Sequence, residues 1–73
     1  MSTRKVNGAT VRALREALGI RQGDFAIRCG FTPSFLSHVE SGAKQPSPAK
    51  AREMANQLGV PLDAITYPVL VAA

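Results

Sequence analysis

Apolar residues recur along this chain three and four positions apart, the period of helices buried on one side. Val11, Leu14 and Leu18 mark the first such run. Asn7 stands where a cap belongs and Gly19 where a helix stops, so the pattern predicts a helix over 8–18. A second predicted helix covers Gln22–Cys29. Its cap position holds Arg21, which offers no acceptor to the free amides; Asp24 in the first turn offsets part of this through the helix dipole. Thr32 followed by Pro33 is a start signal, a cap and then a residue whose fixed φ suits the first helical position. That third helix runs to Ser41, and Gly42 ends it. A basic loop, AKQPS, covers 43–47. The fourth predicted helix, Pro48–Leu58, carries Ala51, Met54, Ala55 and Leu58 as its apolar stripe, and Gly59 stops it. Pro61 opens a short last turn through Ile65, which Tyr67 and Pro68 break. The helical unit is expected over 7–66, with residues 1–6 (MSTRKV) as a flexible basic arm and 67–73 as an apolar tail.

Residues 20–42 hold two short helices joined by a tight turn. Ala26 sits where the helices must approach closely, and Gly30 where the turn bends. This is a helix-turn-helix, which places its second helix in the major groove of DNA. Successive helical residues turn by about 100°. Ser34, Ser37 and His38 therefore share one face, Leu36, Val39 and Glu40 lie opposite, and Phe35 is at the border. The outer face is small, polar and free of negative charge, as insertion into a groove requires. A serine donates to or accepts from several base edges, and His38 can donate to guanine N7 or O6. A merely solvated face has the same composition, and the flanking residues decide between the two. Gln22 and the first-turn amides behind it can hold a phosphate oxygen. Lys44 and Gln45 follow the reading helix and are placed to meet the backbone. Arg21 is a further phosphate candidate, and Arg4 and Lys5 can reach around the duplex or into a minor groove. Each of these basic residues also serves solubility.

Composition sharpens this picture. The chain has 73 residues, so it forms one small domain, for which helices with short connections are the economical solution. Nine Lys and Arg against five Asp and Glu leave a formal charge of +4, which favours a polyanionic partner. The single cysteine, Cys29, excludes an internal disulfide and fits a reducing cytoplasm. Residues 1–15 lack the apolar core of a secretory signal, and the run 69–73 is far too short to span a bilayer. With no ligand-spaced Cys/His cluster and no Gly-rich phosphate loop, no metal, cofactor or small-molecule ligand is expected. Cys29 and His38 do not pair as nucleophile and base, because they fall on different faces. Cys29 is expected to be buried and inert, and the chain is not expected to be an enzyme.

The ordered set Leu14-Arg15, Gln22, Phe25-Ala26, Gly30, Leu36-Ser37, Val39-Glu40, Gly42, Pro46, Met54-Ala55 and Leu58-Gly59-Val60 resembles the lambda-repressor-like, Xre-type helix-turn-helix family of phage repressors and bacterial regulators. The resemblance runs from about Val11 to Ile65. It implies an all-α, compact five-helix DNA-binding domain. It also implies that Gln22 binds phosphate and buttresses the reading helix, and that Thr32, Pro33, Ser34, Ser37 and His38 approach phosphate or bases. Arg15 and Glu40 would form a partly buried pair, which agrees with the cost of an inward-pointing carboxylate left alone. The chain departs from the family at Pro33, where several members read adenine with glutamine, so base reading shifts toward Ser34, Ser37 and His38. It departs again at Phe35, which either packs a thymine methyl or covers the core, and at the Arg21 cap.

These readings lead to an expected cytoplasmic, sequence-specific binder of double-stranded DNA, a transcriptional regulator and most plainly a repressor of phage or prophage type. The alternative is a protein-interaction module on the same fold, such as an antitoxin or adaptor. So small a domain needs a two-fold dimer to gather enough base contacts. Tyr67, Val69, Leu70 and Val71 are the candidate dimer contacts; the alternative is that the same tail folds back over the first and fifth helices.

Overall fold

The structure, a computed structural model, describes residues 2–70. It has four α-helices: α1 (Gly8–Ala17), α2 (Gln22–Cys29), α3 (Pro33–Glu40) and α4 (Pro48–Leu58). Three of their starts follow from capping residues in the sequence. The side chain of Asn7 accepts from Thr10 N–H at 3.2 Å, that of Thr32 from Phe35 N–H at 3.1 Å, and that of Ser47 from Lys50 N–H at 3.3 Å. Arg21 makes no such bond at the start of α2. The helices close over a core of Val11, Phe25, Cys29, Leu36, Val39, Met54 and Ile65, all fully buried. Cys29 is buried as expected.

Two expectations are corrected. The fold is mostly helical but not all-α, and it has no fifth α-helix. Leu62–Ile65 is a single 3-10 turn, with Ala64 N–H donating to Pro61 C=O at 2.9 Å. Four residues ahead of Thr66 and the helix-breaking Pro68 cannot complete an α-helical nucleus. The second correction concerns the chain's two ends. Residues 1–6 were expected as a flexible arm, yet Ser2–Val6 form a strand, β1, that pairs antiparallel with β2 (Thr66–Leu70) of the same chain. Partners from 60 (Val6 and Thr66) to 68 (Ser2 and Leu70) residues apart leave no trace in local periodicity, so the pairing is invisible to a helix-period reading. Within 66–70 the apolar tail thus takes β1 as its partner; Val71 lies outside the described residues.

The register sets Val6 opposite Thr66, Lys5 opposite Tyr67, Arg4 opposite Pro68 and Thr3 opposite Val69. Asn7 N–H donates to Ile65 C=O at 2.8 Å. By the alternation of an antiparallel ladder, Lys5/Tyr67 and Thr3/Val69 are then hydrogen-bonded pairs, whereas Val6 and Arg4 turn their backbone groups outward. Pro68, opposite Arg4, stands where its missing N–H costs no ladder bond and blunts the outer edge of β2. Val6 faces the core, and Arg4 on the same side donates from Nε to Thr66 Oγ1 at 2.8 Å and from its terminal nitrogen to Thr66 C=O at 3.1 Å.

Candidate nucleic-acid interface

The reading helix is anchored from beneath. Leu36, Val39 and Glu40 of α3 are buried, while Thr32, Pro33, Ser34, Ser37 and His38 are exposed on its other side. The division matches the faces read from the sequence. Phe35 is half-buried at the border, with its ring 4.9 Å from that of Phe31 in an edge-to-face contact, so in this structure it helps cover the core.

Glu40 is the polar member of the buried face. Its side chain is 4% exposed, and Arg15 meets it with two hydrogen bonds, from Nε at 2.7 Å and from Nη2 at 3.2 Å. Arg15 also donates to Ile20 C=O at 2.8 Å, and Gln22 Nε2 donates to Glu40 at 3.0 Å. The hydrogen bonding of Arg15 to the Glu40 carboxylate raises the Arg15 pKa above its ordinary value; burial opposes this but does not prevail. The network ties the starts of α2 and α3's last turn to α1, and so fixes the angle at which α3 is presented. The close approach of α1 to α3 needs Gly8: a Cβ there would collide with the Val39 and Glu40 carbonyl oxygens. Gly30 makes the turn between α2 and α3, with φ at 74°.

The candidate phosphate ligands lie in different settings. Gln22 is half-buried and commits one amide hydrogen to Glu40, leaving the other. Arg21 is exposed, 3.5 Å from Asp24. Lys44 is exposed, its ammonium 6.0 Å from the centre of the Phe35 ring, which places its charge beside α3. Gln45 is placed otherwise than expected: its carboxamide bonds both backbone groups of Val6, at 2.8 and 3.1 Å. Arg4 and Lys5 belong to a strand and have no arm-like reach. Arg4 is turned onto Thr66 and lies 3.6 Å from the Asp63 carboxylate, while Lys5 is exposed on the outer side of the sheet with Tyr67.

Lys50 carries a structural role that the sequence reading missed. From α4 it donates to Cys29 C=O at 3.1 Å and to Gly30 C=O at 3.5 Å, satisfying carbonyls at the end of α2. Basic residues usually do this on their own helix, so a lysine 20 residues away gave no local signal. Among the described residues no group of His, Cys, Asp and Glu has the arrangement of a metal site, and no helix is long and apolar enough to cross a membrane.

A small helical domain that presents the second helix of a tight pair, polar side outward, defines the class of helix-turn-helix proteins. The chain belongs to the helix-turn-helix domain family, whose model matches residues 8–66. It is 35% identical over 60 residues to the HTH-type transcriptional regulator y4dJ of Sinorhizobium fredii, covering 82% of this chain and 78% of that one. It is 36% identical over 59 residues to an HTH-type transcriptional regulator of Mycobacterium tuberculosis, covering 81% of this chain but 23% of that protein. The chain therefore spans about a quarter of the mycobacterial relatives it matches. Among solved structures it resembles the restriction-modification controller protein C.AhdI of Aeromonas hydrophila, with a TM-score of 0.74 at 28% identity over 78% of this chain and 86% of the other. The clp gene regulator ClgR of Corynebacterium glutamicum superimposes with a TM-score of 0.75 at 28% identity, over 78% of this chain and 62% of that one.

Proposed function

We propose that this chain is a sequence-specific binder of double-stranded DNA that regulates transcription, as a repressor of phage or prophage type that occupies an operator in the cytoplasm. One observation carries the reading. The exposed side of α3 presents Pro33, Ser34, Ser37 and His38, while the opposite side is held by the core and by the Arg15–Glu40–Gln22 network. The rigid anchoring reduces what α3 must pay in entropy on entering a groove. Ser34, Ser37 and His38 would read base edges, and Thr32, Lys44, Arg21 and the second Gln22 N–H would meet phosphates. Arg4 and Lys5 would add to the positive field from the sheet. A protein-binding version of the fold would want large apolar groups where Ser34, Ser37 and His38 stand. The names of the relatives, all regulators, agree with this reading.

The working unit is a homodimer on an operator with half-sites about one helical turn apart. Its contacts come from Tyr67, Val69, Leu70 and Val71. Tyr67 is exposed and Val69 half-buried, on the sheet side that also carries Lys5. Through Tyr67 and Val69 the dimer would use this side of the formed sheet in place of a free tail.

Ser37→Glu tests the placement of α3. A carboxylate at the centre of the exposed face repels phosphates and cannot match the acceptor-rich edge of guanine. The substitution should lower duplex affinity at least roughly tenfold, the loss of one good base contact with repulsion added, and leave the melting temperature unchanged. Unaltered affinity in a folded Ser37→Glu protein would contradict the reading.

A further inference from the structure

The loop that follows the reading helix is tied to the far end of the sequence. Gln45 and Val6 are 39 residues apart, yet the Gln45 carboxamide accepts from Val6 N–H at 2.8 Å and donates to Val6 C=O at 3.1 Å. That two-bond exchange is what a neighbouring strand makes with a hydrogen-bonded residue. Val6 can offer both groups because the ladder toward β2 does not use them: the bond from Asn7 N–H to Ile65 C=O puts the ladder pairs on odd-numbered residues of β1. A single side chain thus stands in for a third strand at the last rung of β1.

The same contact fixes the backbone beside Lys44. Ala43 and Lys44 both donate their N–H groups to His38 C=O, at 2.8 and 3.2 Å, which anchors the loop to α3 on one side. Gln45 anchors it to β1 on the other. Lys44 sits between these two anchors, with its ammonium over the Phe35 ring of the reading helix. Lys44 and Gln45 are joined by one planar peptide unit, so releasing Gln45 frees the backbone on the C-terminal side of Lys44 and lets its side chain leave the Phe35 ring.

We propose that Gln45 is a positioning residue for DNA binding: by clamping Val6 it holds the Lys44 ammonium beside α3 and couples the terminal sheet to the interface. The proposal rests on the DNA-binding reading. A glutamine free in this loop would bind phosphate itself, whereas Gln45, with both ends of its carboxamide engaged, acts through its neighbour.

The test is a double-mutant cycle on the full chain with Gln45→Met, Lys44→Ala and the pair. Methionine keeps the length of the side chain and removes its amide. Phosphate contacts are independent of sequence, so a random-sequence duplex of roughly 30 base pairs, titrated across salt concentrations, serves as the probe. Gln45→Met should weaken low-salt binding roughly three- to tenfold and reduce the slope of log K against log salt by just under one, the signature of one lost phosphate contact. It should weaken binding no further once Lys44 is alanine. Wild-type affinity and slope, or the same loss in both backgrounds, would overturn the proposal. If Gln45→Met melts too low to assay, the unmutated chain decides. A clamp that favours DNA must be favoured by DNA, so hydrogen exchange at the Val6 amide should slow when the duplex is added, and an unchanged rate refutes the coupling. Failure of the unmutated protein to bind the duplex at low salt would instead overturn the DNA-binding reading, and the proposal with it.

Discussion

Glu40 lies on the apolar side of α3, a position a carboxylate tolerates only if its charge and lone pairs are matched. The inward direction of Glu40 was legible from helical rotation alone, and its pairing with Arg15 from the family resemblance. The bonds that Arg15 makes to Ile20 C=O and Gln22 makes to Glu40 show what the pair does: it sets α3 against both α1 and α2. Arg15→Met leaves the carboxylate buried without its partner. The expected loss is about 3–5 kcal/mol of unfolding free energy, read by denaturant titration, and the remaining folded protein should also bind DNA more weakly, because α3 loses part of the anchoring that fixes its presentation. Cys29 makes a second prediction at this scale. Burial, with a smaller contribution from the Glu53 charge, pushes its thiol up to about 11 from an ordinary 9.0. The unfolded chain then loses this proton at lower pH than the folded one. The thiol's contribution to stability is whole below pH about 9 and is lost as pH rises toward about 11, at up to about 1.4 kcal/mol per unit. Stability measured across that window should fall more steeply in the wild type than in Cys29→Ala, and parallel curves would contradict the assignment.

At the scale of elements, the four helices were legible from apolar periodicity and from chemistry that acts locally: Asn7, Thr32 and Ser47 at the starts of α1, α3 and α4, and Gly30 and Gly59 at the stops of α2 and α4, with the start of α2 at Arg21 left uncapped. The sheet was not legible, since MSTRKV has no clear alternation and its partner lies at the other end of the chain. The Gln45 clamp was hidden for the same reason, and Gln45 read as a phosphate ligand because a glutamine in a basic loop next to a reading helix ordinarily faces outward. The 3-10 turn was anticipated as a short turn after Pro61 but counted as a helix. The stops differ in a way the sequence does not reveal. Gly30 and Gly59 both adopt left-handed φ, 74° and 70°, yet a Cβ on Gly30 would meet Lys50 Nζ while one on Gly59 would meet open space. Both alanine substitutions carry the left-handed penalty of about 1–2 kcal/mol. Gly30→Ala should cost more than Gly59→Ala, because it also displaces the ammonium that satisfies Cys29 C=O. Equal melting temperatures for the two variants would show that the Lys50 contact contributes nothing.

For the whole molecule, the sheet converts two segments that looked independent into one structural unit. β1 and β2 join the ends of the domain, and Gln45 joins β1 to the loop beside α3. The basic excess of the chain is then displayed from a fixed frame, with Lys44 beside the reading helix and Lys5 on the outer side of the sheet. The proposed dimer would place two such frames on one duplex, with Tyr67 and Val69 contributing from a face of the sheet that is already formed. The most direct test of this account is selection from a random duplex library at about 150 mM salt, where non-specific phosphate binding no longer masks base reading. The account predicts recovery of an inverted repeat with half-sites about one helical turn apart. Recovery of no motif by protein shown to be folded would contradict it.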